Sequence, residues 1–122
     1  MPHRIMLIED DQPILEMMEI LLKRIGYEPI LVPEVLDAFR QIKQEPPSLI
    51  LLDIMMTPIN GWEFLEKLRG EYNLKEIPVL LFTASPSIEE KIAELKDPRL
   101  GVLQKPVSII ELKAGIEKFL GK

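Results

Sequence analysis

Short apolar runs set the tightest limit on how this chain can fold. Arg4 to Ile8, Leu49 to Leu52 and Val79 to Phe82 are nearly unbroken apolar segments, too brief for a helix and suited to strands buried on both faces. Leu100 to Leu103 repeats the signature more weakly, and Glu28 to Val32 is a fifth strand candidate despite Pro29. Between these runs, apolar residues recur three and four apart, the mark of amphipathic helices. The first such stretch holds Ile14, Leu15, Met18, Leu21, Leu22 and Ile25, and the second holds Val35, Leu36, Phe39 and Ile42. Phe64, Leu65 and Leu68 form a third, Ile88, Ile92 and Leu95 a fourth, and Ile109, Leu112, Ile116 and Phe119 a fifth. Gly26 suits a helix C-terminal stop, and Pro13 and Pro33 lie near helix starts, where a missing N–H costs little.

Apolar strands joined by helical crossovers predict an α/β domain, a (βα)5 unit whose five-stranded parallel sheet carries helices on both faces. No linker, internal repeat or low-complexity tract interrupts the pattern, so residues 1–122 are expected to form one domain. The last helix ends close to Lys122, and a stand-alone module without an output domain is the expectation.

Several function classes are closed by composition. With no cysteine there is no disulfide framework, zinc knuckle or thiol nucleophile. A net charge of −5 disfavours direct binding to a nucleic-acid backbone. No apolar run approaches the roughly 18 residues of a membrane span, and three acids follow the first run too closely for a signal peptide. A cytoplasmic protein is expected.

In a doubly wound sheet, ligands bind beyond the carboxyl ends of the strands, where strand order reverses. The sequence places Glu9, Asp10 and Asp11 after the first strand, Asp53 after the third, Thr83, Ala84 and Ser85 after the fourth, and Lys105 and Pro106 after the fifth. Carboxylates brought together repel unless a hard cation joins them, and Mg2+ takes a few carboxylate oxygens together with water. Glu9, Asp10 and Asp53 fit that role. An Asp also serves as a nucleophile toward a phosphoryl group, whose spread charge a lysine such as Lys105 and a hydroxyl such as Thr83 stabilise. Each group alone has a plainer reading: an acidic helix start for residues 9–11, a strand-end cap for Asp53, a strand residue for Thr83 and a solvated charge for Lys105. Their joint placement at four strand ends is what points to a site.

At this point the chain resembles the receiver domains of two-component response regulators. The resemblance rests on Ile-Glu-Asp-Asp at 8–11, Leu-Leu-Asp-Ile-Met at 51–55, Gly61, Phe-Thr-Ala at 82–84 and Gln-Lys-Pro-Val at 104–107, in order and along the whole chain. It implies a flavodoxin-like fold and a phosphoacceptor switch rather than a turnover enzyme. Asp53 would accept a phosphoryl group from a phosphohistidine on a sensor histidine kinase or phosphotransfer protein. Asp10, Asp53 and the Met55 carbonyl would ligate Mg2+, with Glu9 acting through a metal-bound water. Thr83 would shift toward the phosphoryl group, Lys105 would pair with it, and the Lys105–Pro106 peptide would be cis. Asp11 would cap the first helix. A downstream protein or a second copy would dock on the face of the fourth helix, fifth strand and fifth helix, where Leu103, Ile109 and Ile110 are candidate contacts.

Two positions depart from the family pattern. Val102 stands where most members place the Tyr or Phe whose rotation reports phosphorylation, and Thr57 stands where a proline is usual, with Pro58 following. Two rival readings stay open. A Mg2+-dependent phosphohydrolase would need a second Asp two residues after the nucleophile, and that position is Met55. A receiver-like interaction module that is not phosphorylated is kept in play by Val102. Elsewhere, His3 is expected to be an exposed terminal residue, Trp62 a partly buried one, and the Met pairs at 17–18 and 55–56 core filler.

Overall fold

The computed structural model describes residues 2–84 and 88–121. Its elements run β1 (Arg4–Ile8), α1 (Gln12–Arg24), β2 (Glu28–Val32), α2 (Val35–Gln44), β3 (Leu49–Asp53), α3 (Gly61–Glu66), β4 (Val79–Thr83), α4 (Glu89–Leu95), β5 (Leu100–Gln104) and α5 (Ile109–Leu120). A wider π-helical turn, Lys67–Glu71, continues α3 and is closed by the Tyr72 N–H donating to the Lys67 carbonyl at 2.9 Å. The strands form one parallel sheet in the order β2-β1-β3-β4-β5. This is the expected flavodoxin-like (βα)5 arrangement.

Strand alternation divides the core between two faces. Ile5, Leu7, Leu49, Leu51, Leu80 and Phe82 pack with Leu15, Met18 and Leu22 of α1 and with Leu112 and Ile116 of α5. Their neighbours Met6, Ile8, Ile50, Leu52, Val79 and Leu81 face the other way, toward α2 and α3. Because β1, β3 and β4 are covered on both faces, they could not carry the polar alternation of a half-exposed sheet. The edge strand β2 tolerates Pro29, whose missing N–H removes no ladder bond needed by a second neighbour. From β1 the chain steps outward to β2, then crosses back to β3 on the other side of β1. That reversal opens a crevice at the C-terminal ends of β1 and β3.

Helix starts are locally encoded. The Asp11 side chain accepts from the Ile14 N–H at 3.2 Å and caps α1, as the acidic run implied. Asn60 and Glu63 form a reciprocal capping box at α3, and Ser108 and Glu111 form another at α5. At the N-terminal edge of the sheet, Arg69 gathers the chain. Its guanidinium donates to Asp97 Oδ2 at 2.9 Å and to the carbonyls of Leu74, Ile77 and Arg99 at 2.8, 2.7 and 3.1 Å. The α3 extension is thereby tied to the segments that enter β4 and β5. On the same layer an aromatic column runs outward from Phe64 through Phe39 to Tyr72, with ring centroids 4.6 and 4.5 Å apart.

Several expectations are refined. Strands β3, β4 and β5 each run one residue further than their apolar runs, because Asp53 pairs with Phe82 and Thr83 with Gln104 in the ladders. Of the methionine pairs, Met18 and Met56 are core filler, but Met17 and Met55 are exposed at 47% and 79%; chain neighbours here point to opposite sides. Leu95, counted in the fourth helix's apolar stripe, is exposed at 45%. Trp62 is half-buried and His3 exposed, as expected. Ser85 lies outside the described residues. Among the described residues no helix is long and apolar enough to cross a membrane.

Phe64 is fully buried and starts the aromatic column, so Phe64→Ala is expected to cost about 3–5 kcal/mol. Urea unfolding measures it. A loss below about 1 kcal/mol would mean that the column contributes little.

Candidate functional site

The crevice at the strand C-termini receives a side chain from each of four strand ends. Glu9 follows β1 immediately, its N–H donating to the Val32 carbonyl of β2 at 3.2 Å, and its side chain is fully buried. Asp53, the last residue of β3, is 4% exposed, and Thr83, the last of β4, is 2% exposed. Lys105 follows β5, and its backbone N–H donates to the Thr83 carbonyl at 2.8 Å. That bond seats the lysine loop against the end of β4.

Three carboxylates meet one ammonium here. Oxygens of Glu9, Asp10 and Asp53 all lie within 4.8 Å of one another. The Lys105 Nζ stands 3.6 Å from Glu9 Oε1 and 3.5 Å from Asp53 Oδ2. It also lies 5.0 Å from the centroid of the Phe82 ring. Asp53 Oδ1 accepts from the Met55 N–H at 3.1 Å, while Asp10, exposed at the rim, accepts from the Thr57 N–H at 3.4 Å. Neither Glu9 oxygen has a hydrogen-bond partner among the described residues. Burial, reinforced by the neighbouring Asp53 carboxylate and partly offset by Lys105, pushes the Glu9 carboxyl up from 4.5 to about 8.

A hard divalent cation fits this donor set. The ligands are all oxygen, two of the three side chains are buried, and among the described residues the excess negative charge has only Lys105 paired with it. The chain thus brings together the carboxylates of Glu9, Asp10 and Asp53 and the Lys105 ammonium, with Thr83 at the adjoining strand end and the Met55 amide on Asp53.

Gly61 supports the end of β3 from behind. Its N–H donates to the Ile54 carbonyl at 2.9 Å, and a Cβ there would stand 2.8 Å from the Ile54 Cα and 3.0 Å from the Asp53 carbonyl oxygen. Only a residue without a side chain permits this approach. Three contacts had no separate signal in the sequence: the Phe82 ring beneath Lys105, the Met55 amide on Asp53, and the Thr57 amide on Asp10. Phe82 lay within the Phe-Thr-Ala motif, but its contact depends on the path of the β5–α5 loop. Both Lys105–Pro106 and Thr57–Pro58 are cis, the first as the resemblance implied.

Residues 5–117 match the family described as response regulator receiver domain. The chain belongs to that family. It is 33% identical over 117 residues to the phosphate regulon transcriptional regulatory protein PhoB of Escherichia coli, an alignment covering 96% of this chain and 51% of that protein. The receiver chain therefore spans about half the length of the curated relatives it matches. The N-terminal domain of a response regulator receiver protein from Methanoculleus marisnigri has a TM-score of 0.78 at 32% identity, covering 98% of both chains. The receiver domain of a sensor histidine kinase from Pseudomonas aeruginosa, solved with a magnesium ion coordinated in its active site cleft, has a TM-score of 0.86 and covers 100% of both chains. At 23% identity that last likeness is one of fold. The receiver's Val102 is half-buried against the α2–α3 layer.

Two outcomes follow from this geometry. Gly61→Ala forces backbone to move beside Asp53 and is expected to cost about 1–3 kcal/mol in thermal or urea unfolding; an unchanged midpoint would show that the loop yields freely. The second concerns pH. Unfolded, Glu9 ionises near 4.5; folded and metal-free, near 8. Between those values the folded chain holds the extra proton, so this group's contribution to stability declines as pH rises. In EDTA the melting temperature of the parent should therefore fall relative to Glu9→Gln from pH 5 to pH 8, and parallel curves would contradict the assignment.

Proposed function

We propose that this receiver is a phosphorylation-controlled switch whose acceptor is Asp53. The observation that carries the reading is the convergence of Glu9, Asp10, Asp53 and Lys105 in one crevice, with buried Thr83 on the adjoining strand. The donor is a phosphohistidine on a sensor histidine kinase or phosphotransfer protein. An Asp53 carboxylate oxygen attacks phosphorus, the new P–O bond replaces the P–N bond, and the donor's ring departs as imidazole. The Met55 amide on Oδ1 fixes the carboxylate's orientation, so the reacting group is held in place before the donor arrives. Asp10, Asp53 and the Met55 carbonyl would hold Mg2+, with Glu9 acting through a bound water, and the ion would supply positive charge to offset the phosphoryl oxygens.

Lys105 lies 3.5 Å from Asp53 Oδ2 and pairs with the transferred group, while the Thr83 hydroxyl donates to one of its oxygens. Because the Lys105 amide is bonded to the Thr83 carbonyl, a pull on either side chain is shared by the ends of β4 and β5. Val102 has no ring to rotate, so the change is carried to a downstream protein by these loops and by α4. Residues 1–122 act as one cytoplasmic receiver module that catalyses its own phosphorylation and slow dephosphorylation. A phosphohydrolase is disfavoured because the side chain two residues after Asp53 is Met55, which is 79% exposed and carries no acid.

With acetyl phosphate and Mg2+, intact-mass analysis should show one phosphoryl group on the parent and none on Asp53→Asn. Undiminished labelling of that variant would move the acceptor elsewhere and sink the reading.

A further inference from the structure

Between α3 and α4 the described residues leave a groove of about 750 Å³, well apart from the acidic crevice in composition. One wall is a single helical stripe: Trp62, Leu65, Glu66 and Arg69 recur at the three-and-four spacing of one face of α3 and its extension. The other wall is Lys91 and Leu95, one turn apart on α4. Leu95 is the informative residue. It belongs by spacing to the apolar stripe of α4, yet it is 45% exposed and lines the groove, so an apolar surface is left uncovered. The volume falls within the range of small-molecule sites, which are concave and mainly apolar with a few placed polar groups.

The charges identify the class of occupant. Arg69 and Asp97 neutralise each other on the floor, 2.9 Å apart. Arg99 spends its Nε on the Glu76 carbonyl. Lys75, Lys91 and Lys96 remain, without ion-pair partners among the described residues, against Glu66 and Glu76. The groove is therefore locally basic on a chain of net charge −5. Lys91 holds its Nζ 4.8 Å from the centroid of the Trp62 ring, which sets an ammonium beside a flat aromatic surface.

We infer that the α3–α4 groove of this receiver is a binding site for a small aromatic anion, a planar ring system carrying one carboxylate or sulfonate. The ring covers Leu95 and the Trp62 edge, and the acid pairs with Lys91. Apolar burial supplies the attraction, and the ammonium supplies orientation and charge selectivity. The site uses no residue of the acidic crevice and is present in the chain with Asp53 unmodified.

Trp62 is the chain's only tryptophan, so occupancy can be read by energy transfer. Anilinonaphthalene sulfonate, an aromatic anion, is titrated into the full chain with excitation of Trp62. One saturable site with tryptophan-sensitised emission is expected, unchanged in Asp53→Asn. Leu95→Asp and Lys91→Glu, both at exposed positions and checked for an unaltered melting temperature, should each weaken binding about tenfold or more. The uncharged parent phenylnaphthylamine should also bind about tenfold more weakly. Equal affinity for the uncharged compound, or unchanged affinity in both variants, would overturn the proposal. A dimer that excludes the probe and that Leu95→Asp dissociates would overturn it in favour of a second copy of the chain. Loss of acetyl phosphate labelling with probe binding intact would count against Asp53 as acceptor and leave the groove untouched.

Discussion

The unequal count of charges at the strand ends governs the chemistry of this molecule. Glu9, Asp10 and Asp53 converge on one ammonium, Lys105, and two of the three acids are buried. Such a cluster is unfavourable on its own terms, since buried carboxylates lose hydration and repel one another. The rest of the fold makes it possible. Parallel strands covered on both faces hold the backbone rigidly, and the reversal between β1 and β3 sets the acidic loops side by side. The protein itself leaves the balance of charge in the crevice uneven, which is the condition a hard cation would relieve.

Support for the strand that ends in Asp53 comes from its immediate neighbours in the chain. Gly61 lets α3 approach the end of β3 closely, and the Asn60–Glu63 capping box fixes where that helix begins. The Met55 amide orients Asp53, so the loop that follows β3 clamps the carboxylate that β3 delivers. These are local arrangements, and the bond from the Met55 amide works with any side chain at position 55 that stays in solvent.

Much of this was readable beforehand, for a physical reason. Strands buried on both faces must be continuously apolar, so Leu49 to Leu52 and Val79 to Phe82 announced themselves, and the first polar residue after each run had to stand at the sheet's edge. Asp53 and Thr83 were found that way, and the family resemblance assigned them roles. What escaped was whatever depends on how two separately encoded elements meet. Leu95 was placed correctly on the apolar stripe of α4, yet periodicity carries no information on whether α3 comes close enough to cover it. The methionine pairs failed differently: adjacent residues point apart, so a pair could not fill the core as a unit, and Met17 and Met55 face solvent. The Phe82 ring beneath Lys105 depends on a loop path that spacing along the chain does not describe.

Arg69 gives the two edges of the sheet opposite characters. At the N-terminal edge its guanidinium satisfies Asp97 and three carbonyls, and Asp97 in turn accepts from the Arg99 N–H at 2.9 Å. Lys96, in a left-handed conformation with φ of 51°, turns the chain from α4 directly into that anchor. Helix α4 is thus moored at its far end, on the side of the sheet away from the acids. A rod fastened at one end can move only by tilting about that pivot, and the end nearest the acidic crevice is the one with the widest arc open to it.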